Sequence, residues 1–353
     1  MKWSFKIFTL FGIPVKLHLT FLLLLLFIAL TPQKPGGIGG LPGTITVLLV
    51  FACVLLHEFS HSMLAKKYGH RVRDITLLPI GGVSNIEEMP EEPREEIWLA
   101  LAGPMMSLAL AGIFYAAVTL VRPAADPEFI GGSLLGTLFY INFMLGLFNM
   151  IPALPMDGGR VLRGALAMKL GRVKATRVAV SIGQAFAIVF LFVGIFYDWW
   201  LALIAIFIYI GAEGEDQALK VHEALKGAQV SRAMIVDPKT VRPDTPMSDV
   251  VSMMCHGLQD DFPVVSDGRA IGILSKQDIF RAVKDGAGGR PAAEFMHADF
   301  PVVSSDLSLE DIFRSMRQSG LSAIPVLADG RVSGLITLEQ IGRYNMVCGM
   351  GKK

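Results

Sequence analysis

His57-Glu58-Phe59-Ser60-His61 lies inside the apolar run Ile45–Leu64, and how it is read decides what kind of chain this is. On a helix, residues four apart share a face, so both imidazoles can reach one metal ion. Glu58 follows the first of them directly, where a carboxylate can take a proton from activated water. Two histidines and a glutamate in a helix of hydrocarbon length are costly unless they are used. The stretch points to a zinc hydrolase whose site lies within a membrane.

The surrounding composition suits that address. Of the 353 residues, 52% are apolar, and the mean hydropathy is +0.52, as in integral membrane proteins. Long apolar runs fill residues 1–212, whereas 213–353 read as an ordinary soluble domain. A formal net charge of +1 argues against a nucleic-acid partner, which would need a strong basic patch. Cys53, Cys255 and Cys348 are far apart and form neither a disulfide framework nor a cysteine-rich zinc site. Cys53 stands one turn before His57, where small buried packing is a better reading than a fourth ligand. Lys2 and Lys6 precede the apolar stretch Leu17–Leu30, as in a secretory signal. Ala29-Leu30-Thr31-Pro32 is a poor cleavage site, so the stretch reads as a retained first span.

A helix needs about twenty apolar residues to cross a bilayer, and about six segments approach that length. They are Pro14–Thr31, Gly43–Leu64, Trp98–Val121, Gly132–Ile151, Ala175–Tyr197 and Trp199–Ala212. The last is short, and the pair around Asp198 can form one helical hairpin. Lys and Arg gather on the cytosolic side of spans. The N-terminus carries Lys2, Lys6 and Lys16; Lys66, Lys67, Arg71 and Arg73 follow the second span, and Arg160 to Arg177 follow the fourth. The opposite loops hold just Lys34 and Arg122. Both termini are therefore expected in the cytosol, with His57 and His61 in the cytosolic half of the second span.

A catalytic zinc takes three protein ligands and keeps one position open. The best candidate for the third lies in Asn149-Met-Ile-Pro152-Ala-Leu-Pro155-Met-Asp157-Gly158-Gly159. Two prolines break the helix there, which a membrane tolerates where the backbone lines a cavity or is buried in protein. Asp157 follows the break, and the two glycines permit close backbone approach.

These motifs, with Leu101-Ala102-Gly103-Pro104 and Gly12-Ile13-Pro14-Val15-Lys16-Leu17-His18, resemble the site-2 protease family of intramembrane zinc metalloproteases. The resemblance covers about residues 3 to 175. It implies one Zn2+ per chain held by His57, His61 and Asp157. It implies Glu58 as general base and then as proton donor to the leaving amine, and Asn149 as a group that orients or stabilises the oxyanion. Many members have asparagine three residues after Gly103-Pro104, where this chain has Ser107; the zinc chemistry is not expected to depend on it. The family also places an edge strand near Gly81 and Gly82, within Asp74–Ile86. A substrate helix shields its carbonyls, so unwinding it and adding it as a strand there would expose the scissile amide. A plain turn at these glycines is the alternative. Glu87, Glu88, Glu91, Glu92, Glu95 and Glu96 read as a solvated acidic loop rather than a second metal site. His18, His70, His222, His256 and His297 read as surface or packing residues.

The soluble part repeats itself. Asp261-Phe-Pro-Val-Val-Ser-Asp-Gly-Arg aligns with Ala323-Ile-Pro-Val-Leu-Ala-Asp-Gly-Arg, and each copy reads strand, helix, strand, turn, strand, helix. Asp267-Gly268 and Asp329-Gly330 are hairpin signals. The repeat resembles a tandem pair of cystathionine-β-synthase-type (CBS) modules. Such pairs often bind adenine nucleotides (AMP, ADP or ATP). The ribose and phosphate motif is Ser275-Lys-Gln-Asp278 in the first copy, but Thr337-Leu-Glu-Gln340 in the second lacks the acid. A pair that only dimerises or docks is the other reading.

The expected architecture is thus a polytopic α-helical membrane protein with small edge strands near the site, followed by an α/β CBS pair. Its expected parts are residues 1–212, a linker 213–229 with a helix over Gln217–Lys226, and modules 230–285 and 292–346. The expected partners are single-pass membrane-protein substrates, the lipid bilayer and a second copy through the CBS modules, without nucleic acid. The expected location is a prokaryotic cell membrane. A CBS-regulated transporter or channel explains the second half equally well but leaves His57, Glu58, His61 and Asp157 unexplained. A catalytically silent scaffold would need a lost ligand or base, and none is missing.

Overall fold

Alternation, not helical periodicity, governs Ile13–Lys16. In the computed structural model Ile13 and Val15 are buried while their neighbours Pro14 and Lys16 are not. They form strand β2 (Ile13–His18), paired antiparallel with β1 (Ser4–Leu10) through a turn at Phe11 and Gly12. The first span expected at Pro14–Thr31 therefore begins as strand, and helix α1 covers Leu19–Leu30. The structure describes residues 3–33, 39–86, 90, 92–121 and 133–350. Lys2, Lys34, Glu87, Glu88, Glu91, Arg122 and Gly132 lie outside these, as does the side chain of Cys348.

The helices that follow are α2 (Gly40–Lys67), α3 (Pro93–Val121), α4 (Leu134–Asn149), α5 (Asp157–Leu170), α6 (Arg172–Tyr197) and α7 (Trp199–Leu225). Among the described residues, α2, α3 and α6 are long and apolar enough to cross a membrane, and α1 and α4 are shorter apolar helices. Phe27, Leu30, Ile188, Phe192 and Phe196 are exposed on α1 and α6, as hydrocarbon surroundings permit. Helix α7 runs on past Ala212, where the last span was expected to end, and takes in most of the helix expected over Gln217–Lys226.

Between α2 and α3, strands β3 (Val72–Leu78) and β4 (Gly81–Ile86) complete a sheet of order β1-β2-β3-β4. β2 pairs with β3 in parallel and β3 with β4 antiparallel, so β4 is an outer strand. Asp74 ties β2, β3 and β4 together. Its carboxylate accepts from Lys16 Nζ and Asn85 Nδ2, each at 2.5 Å, and from Thr76 Oγ1 at 3.2 Å. Burial alone would raise its pKa, but these donors outweigh burial and hold it below the usual carboxylate range. Ser62 and Ser84 share a 2.7 Å hydrogen bond that ties β4 to α2.

The chain forms two compact units, Met1–Asp216 and Gln217–Lys353. In the second, α8 (Met247–Cys255), β6 (Phe262–Ser266), β7 (Arg269–Leu274) and α9 (Lys276–Lys284) are matched by α10 (Leu309–Ser319), β8 (Ala323–Ala328), β9 (Arg331–Thr337) and α11 (Leu338–Met350). The repeat is visible in the core: Val250, Phe262, Val264, Leu274 and Ile279 of one copy answer Ile312, Ile324, Val326, Ile336 and Ile341 of the other. Asp267-Gly268 and Asp329-Gly330 turn the hairpins with positive φ at both residues, as a tight type I′ turn requires. The copies are not independent, because the short opening strand β5 (Ile235–Val236) of the first pairs with β9 of the second.

Candidate metal centre

His57 and His61 stand one turn apart on α2 and are buried, at 3% and 7% exposure. Asp157, the first residue of α5, faces them. Its Oδ2 lies 3.3 Å from each Nε2, and the two Nε2 atoms lie 3.3 Å from each other. Tetrahedral ligands at zinc–donor distances of about 2.0–2.1 Å stand about 3.3 Å apart. The three side chains therefore fit zinc, with one tetrahedral corner left for water. Among the described residues no other His, Cys, Asp and Glu cluster of this kind occurs, and Cys53 is buried outside it.

Helix α3 aims both imidazoles. His61 Nδ1 lies 2.7 Å from the Leu99 carbonyl, which can only accept, so Nδ1 carries the proton and Nε2 is free to bind metal. His57 Nδ1 lies 2.8 Å from Ser107 Oγ, which serves the same end. Between them Gly103 makes room: a Cβ there would fall 2.5 Å from His57 Nε2 and closer still to His61 Nε2. Leu99, Gly103 and Ser107, each four apart, thus form one face behind the ligands. Sequence reasoning set Ser107 aside and gave Leu99 no role; their spacing from Gly103 was the available signal. Gly103→Ala is expected to fold with reduced metal, and zinc content against wild type at equal free zinc checks this.

The Gly158-Gly159 pair lets α5 start against the proline loop. A Cβ on Gly158 would meet the Ile151 carbonyl at 2.5 Å, and one on Gly159 the Ala153 carbonyl oxygen at 2.7 Å. Deeper along α5, Arg163 Nε donates to Glu96 Oε1 at 2.6 Å and Nη1 to Glu215 Oε2 at 2.7 Å. This corrects the reading of Glu96 as part of a solvated loop. It is 3% exposed, in the first turn of α3, because a buried guanidinium requires it.

Glu58 is half-buried beside the ligands, and β4 passes over it: a Cβ on Gly82 would meet Glu58 Cγ at 2.6 Å. Gly81 has φ +142° and nothing near its Cβ position. Asn149 ends α4 and gives its amide to the Leu145 carbonyl of its own helix at 3.0 Å, not to the ligand cluster.

In the second unit, Ser275 and Asp278 meet as a capping box at the start of α9, and Asp278 is 1% exposed. They line a cleft of about 160 Å³ with Arg281, His297 and Ser322. His297 Nε2 lies 3.1 Å from Asp278 Oδ2, so this histidine belongs to the cleft and is more than a surface residue. His18 caps α1, and His222 pairs with Glu310 at 2.7 Å.

Residues 45–126 and 127–192 match the model of peptidase family M50, and residues 230–285 and 292–345 match that of the CBS domain. A zinc metalloprotease of Methanocaldococcus jannaschii is 33% identical over 344 residues, covering 97% of this chain and 96% of that protein. Stage IV sporulation protein FB of Bacillus subtilis is 29% identical over 157 residues, covering 43% of this chain and 51% of that protein. A solved site-2 protease from Methanocaldococcus jannaschii is 37% identical and covers 61% of this chain and 95% of its own, with a TM-score of 0.46. With its zinc-fitting triad and a relative matched through both halves, the chain belongs to the site-2 protease family, peptidase family M50, and is a membrane-bound zinc metalloprotease carrying a CBS pair.

Proposed function

We propose that this protease cuts peptide bonds within or beside the membrane-spanning segments of single-pass proteins, on the cytosolic side of the bilayer. The observation that supports this is the outer strand β4 lying over Glu58 at Gly82. An unwound substrate segment can pair with the free edge of β4 as a further strand, bringing its amides to the base. Zinc, when bound, polarises the carbonyl and lowers the pKa of water. Glu58 accepts the water proton and returns it to the leaving nitrogen. His57, His61 and Asp157 hold the metal, and the Leu99 carbonyl and Ser107 keep the imidazoles turned toward it. Gly81 and Gly82 let the substrate backbone come close. Asn149 gives one amide proton to the Leu145 carbonyl, and its second N–H is the one that could serve the oxyanion.

The reading includes about six spans with both termini cytosolic, supported by the placement of Lys and Arg. It includes an adenine nucleotide (AMP, ADP or ATP) at the cleft of Ser275 and Asp278, and association of two copies through the CBS pair. In the cleft, ribose hydroxyls would compete with His297 and Ser275 for the Asp278 carboxylate. A nucleotide controls cleavage only if it binds two forms of the protein unequally.

The test is cleavage of a single-pass reporter by the zinc-loaded full chain in liposomes, with and without AMP, beside Gly82→Val. Gly82→Val is expected to keep its zinc and lose at least tenfold in cleavage, because its side chain would displace Glu58. Undiminished cleavage by Gly82→Val would sink the edge-strand reading. Equal rates with and without AMP, under conditions where calorimetry shows AMP bound, would sink nucleotide control.

A further inference from the structure

Arg160 stands one turn after Asp157 on α5, on the same side of the helix. The residue is half-buried, and its Nε is buried without a hydrogen-bond partner among the described residues. Arg163, one turn further on, is engaged by both Glu96 and Glu215. A buried guanidinium donor without an acceptor, beside a hydrolytic centre, calls for a partner that arrives with the reaction.

The chemistry supplies one. Water oxygen adds to the scissile carbon, the C=O π pair moves onto the carbonyl oxygen, and the water proton goes to Glu58. On collapse that pair re-forms C=O, the C–N bond breaks, and Glu58 returns the proton to the leaving nitrogen. The carbonyl oxygen is anionic only between these steps, and a preorganised donor there accelerates the reaction more than any ground-state contact. Asn149, expected in this role, has one of its two amide protons held by the Leu145 carbonyl and only the second to offer. We propose that Arg160 donates to the scissile carbonyl oxygen as it becomes negative, and is a catalytic residue of this protease.

This rests on the proteolytic reading, which wild type against Glu58→Gln tests separately: a zinc-loaded wild type that cuts nothing would end that reading before Arg160 is reached. The experiment measures kcat, KM, bound zinc and affinity for a phosphonamidate peptide, whose tetrahedral phosphorus carries the anionic oxygen. Full-length Arg160→Gln and Arg160→Lys are compared with wild type. Arg160→Gln is expected to keep zinc and KM, to lose about 10²–10³-fold in kcat, and to lose phosphonamidate affinity by the same order. Arg160→Lys keeps the charge without the planar fork and should fall between. Unchanged kcat, a rise in KM alone, or loss of zinc from Arg160→Gln would overturn the proposal. If Arg160→Gln does not accumulate, Arg160→Lys decides: a tenfold lower kcat with zinc and KM unchanged supports it, and wild-type kcat overturns it.

Discussion

Glu58→Gln is expected to bind zinc as wild type does and to cut a single-pass reporter about 10⁴-fold more slowly, the upper range for removal of a general acid–base. Glutamine preserves the shape beneath Gly82, so β4 need not move. It cannot accept a proton, so both the attack of water and the departure of the amine lose their carrier. Because Glu58 stands outside the ligand triad, metal content separates this loss from collapse of the centre. Zinc quantified on the purified variant beside reporter cleavage checks it, and substantial residual turnover would move the base elsewhere.

Asp157→Ala is expected to abolish cleavage by a different route, through loss of zinc. Three protein ligands are the usual minimum for a catalytic zinc, and the two histidines would be left with a wide-open coordination sphere. Truncation would also leave both Nε2 atoms without the carboxylate that now lies 3.3 Å away. Ser107→Ala provides the graded comparison. Losing a hydrogen-bond partner of a ligating histidine costs about 10–100-fold in metal affinity, so zinc should be retained at saturating metal and lost to a weak chelator. Chelator competition ranks wild type, Ser107→Ala and Asp157→Ala in that order of decreasing affinity.

The cluster of His57, His61 and Asp157 was legible because its signals are local. Spacing of four on a helix fixes His57 and His61, and a proline break followed by an acid and two glycines marks Asp157. What escaped was tertiary. Leu99 acts through its carbonyl, so no side chain advertises it. Ser107 is informative only once α3 is known to lie behind α2. Glu96 was grouped with its acidic neighbours because its partner Arg163 lies far along the chain. β2 was absorbed into the first span because averaging hydropathy over a window hides alternation, and Ile13 and Val15 are as apolar as any helix residue. The join of α7 across Glu213–Asp216 was missed because these residues resemble a linker until buried Arg163 is seen to hold Glu215.

The face of α3 made by Leu99, Gly103 and Ser107 also limits how this helix can diverge. One residue inserted or deleted between Leu99 and Ser107 turns everything beyond it by about 100° and shifts it by about 1.5 Å. The gap at Gly103 or the hydroxyl at Ser107 would then swing away from the histidines, and a bulky neighbour would take its place. Point changes on the opposite side of α3 leave that alignment intact. Length in this segment is consequently under tighter restraint than composition, and an enzyme that lost one residue here would lose its metal while keeping every ligand.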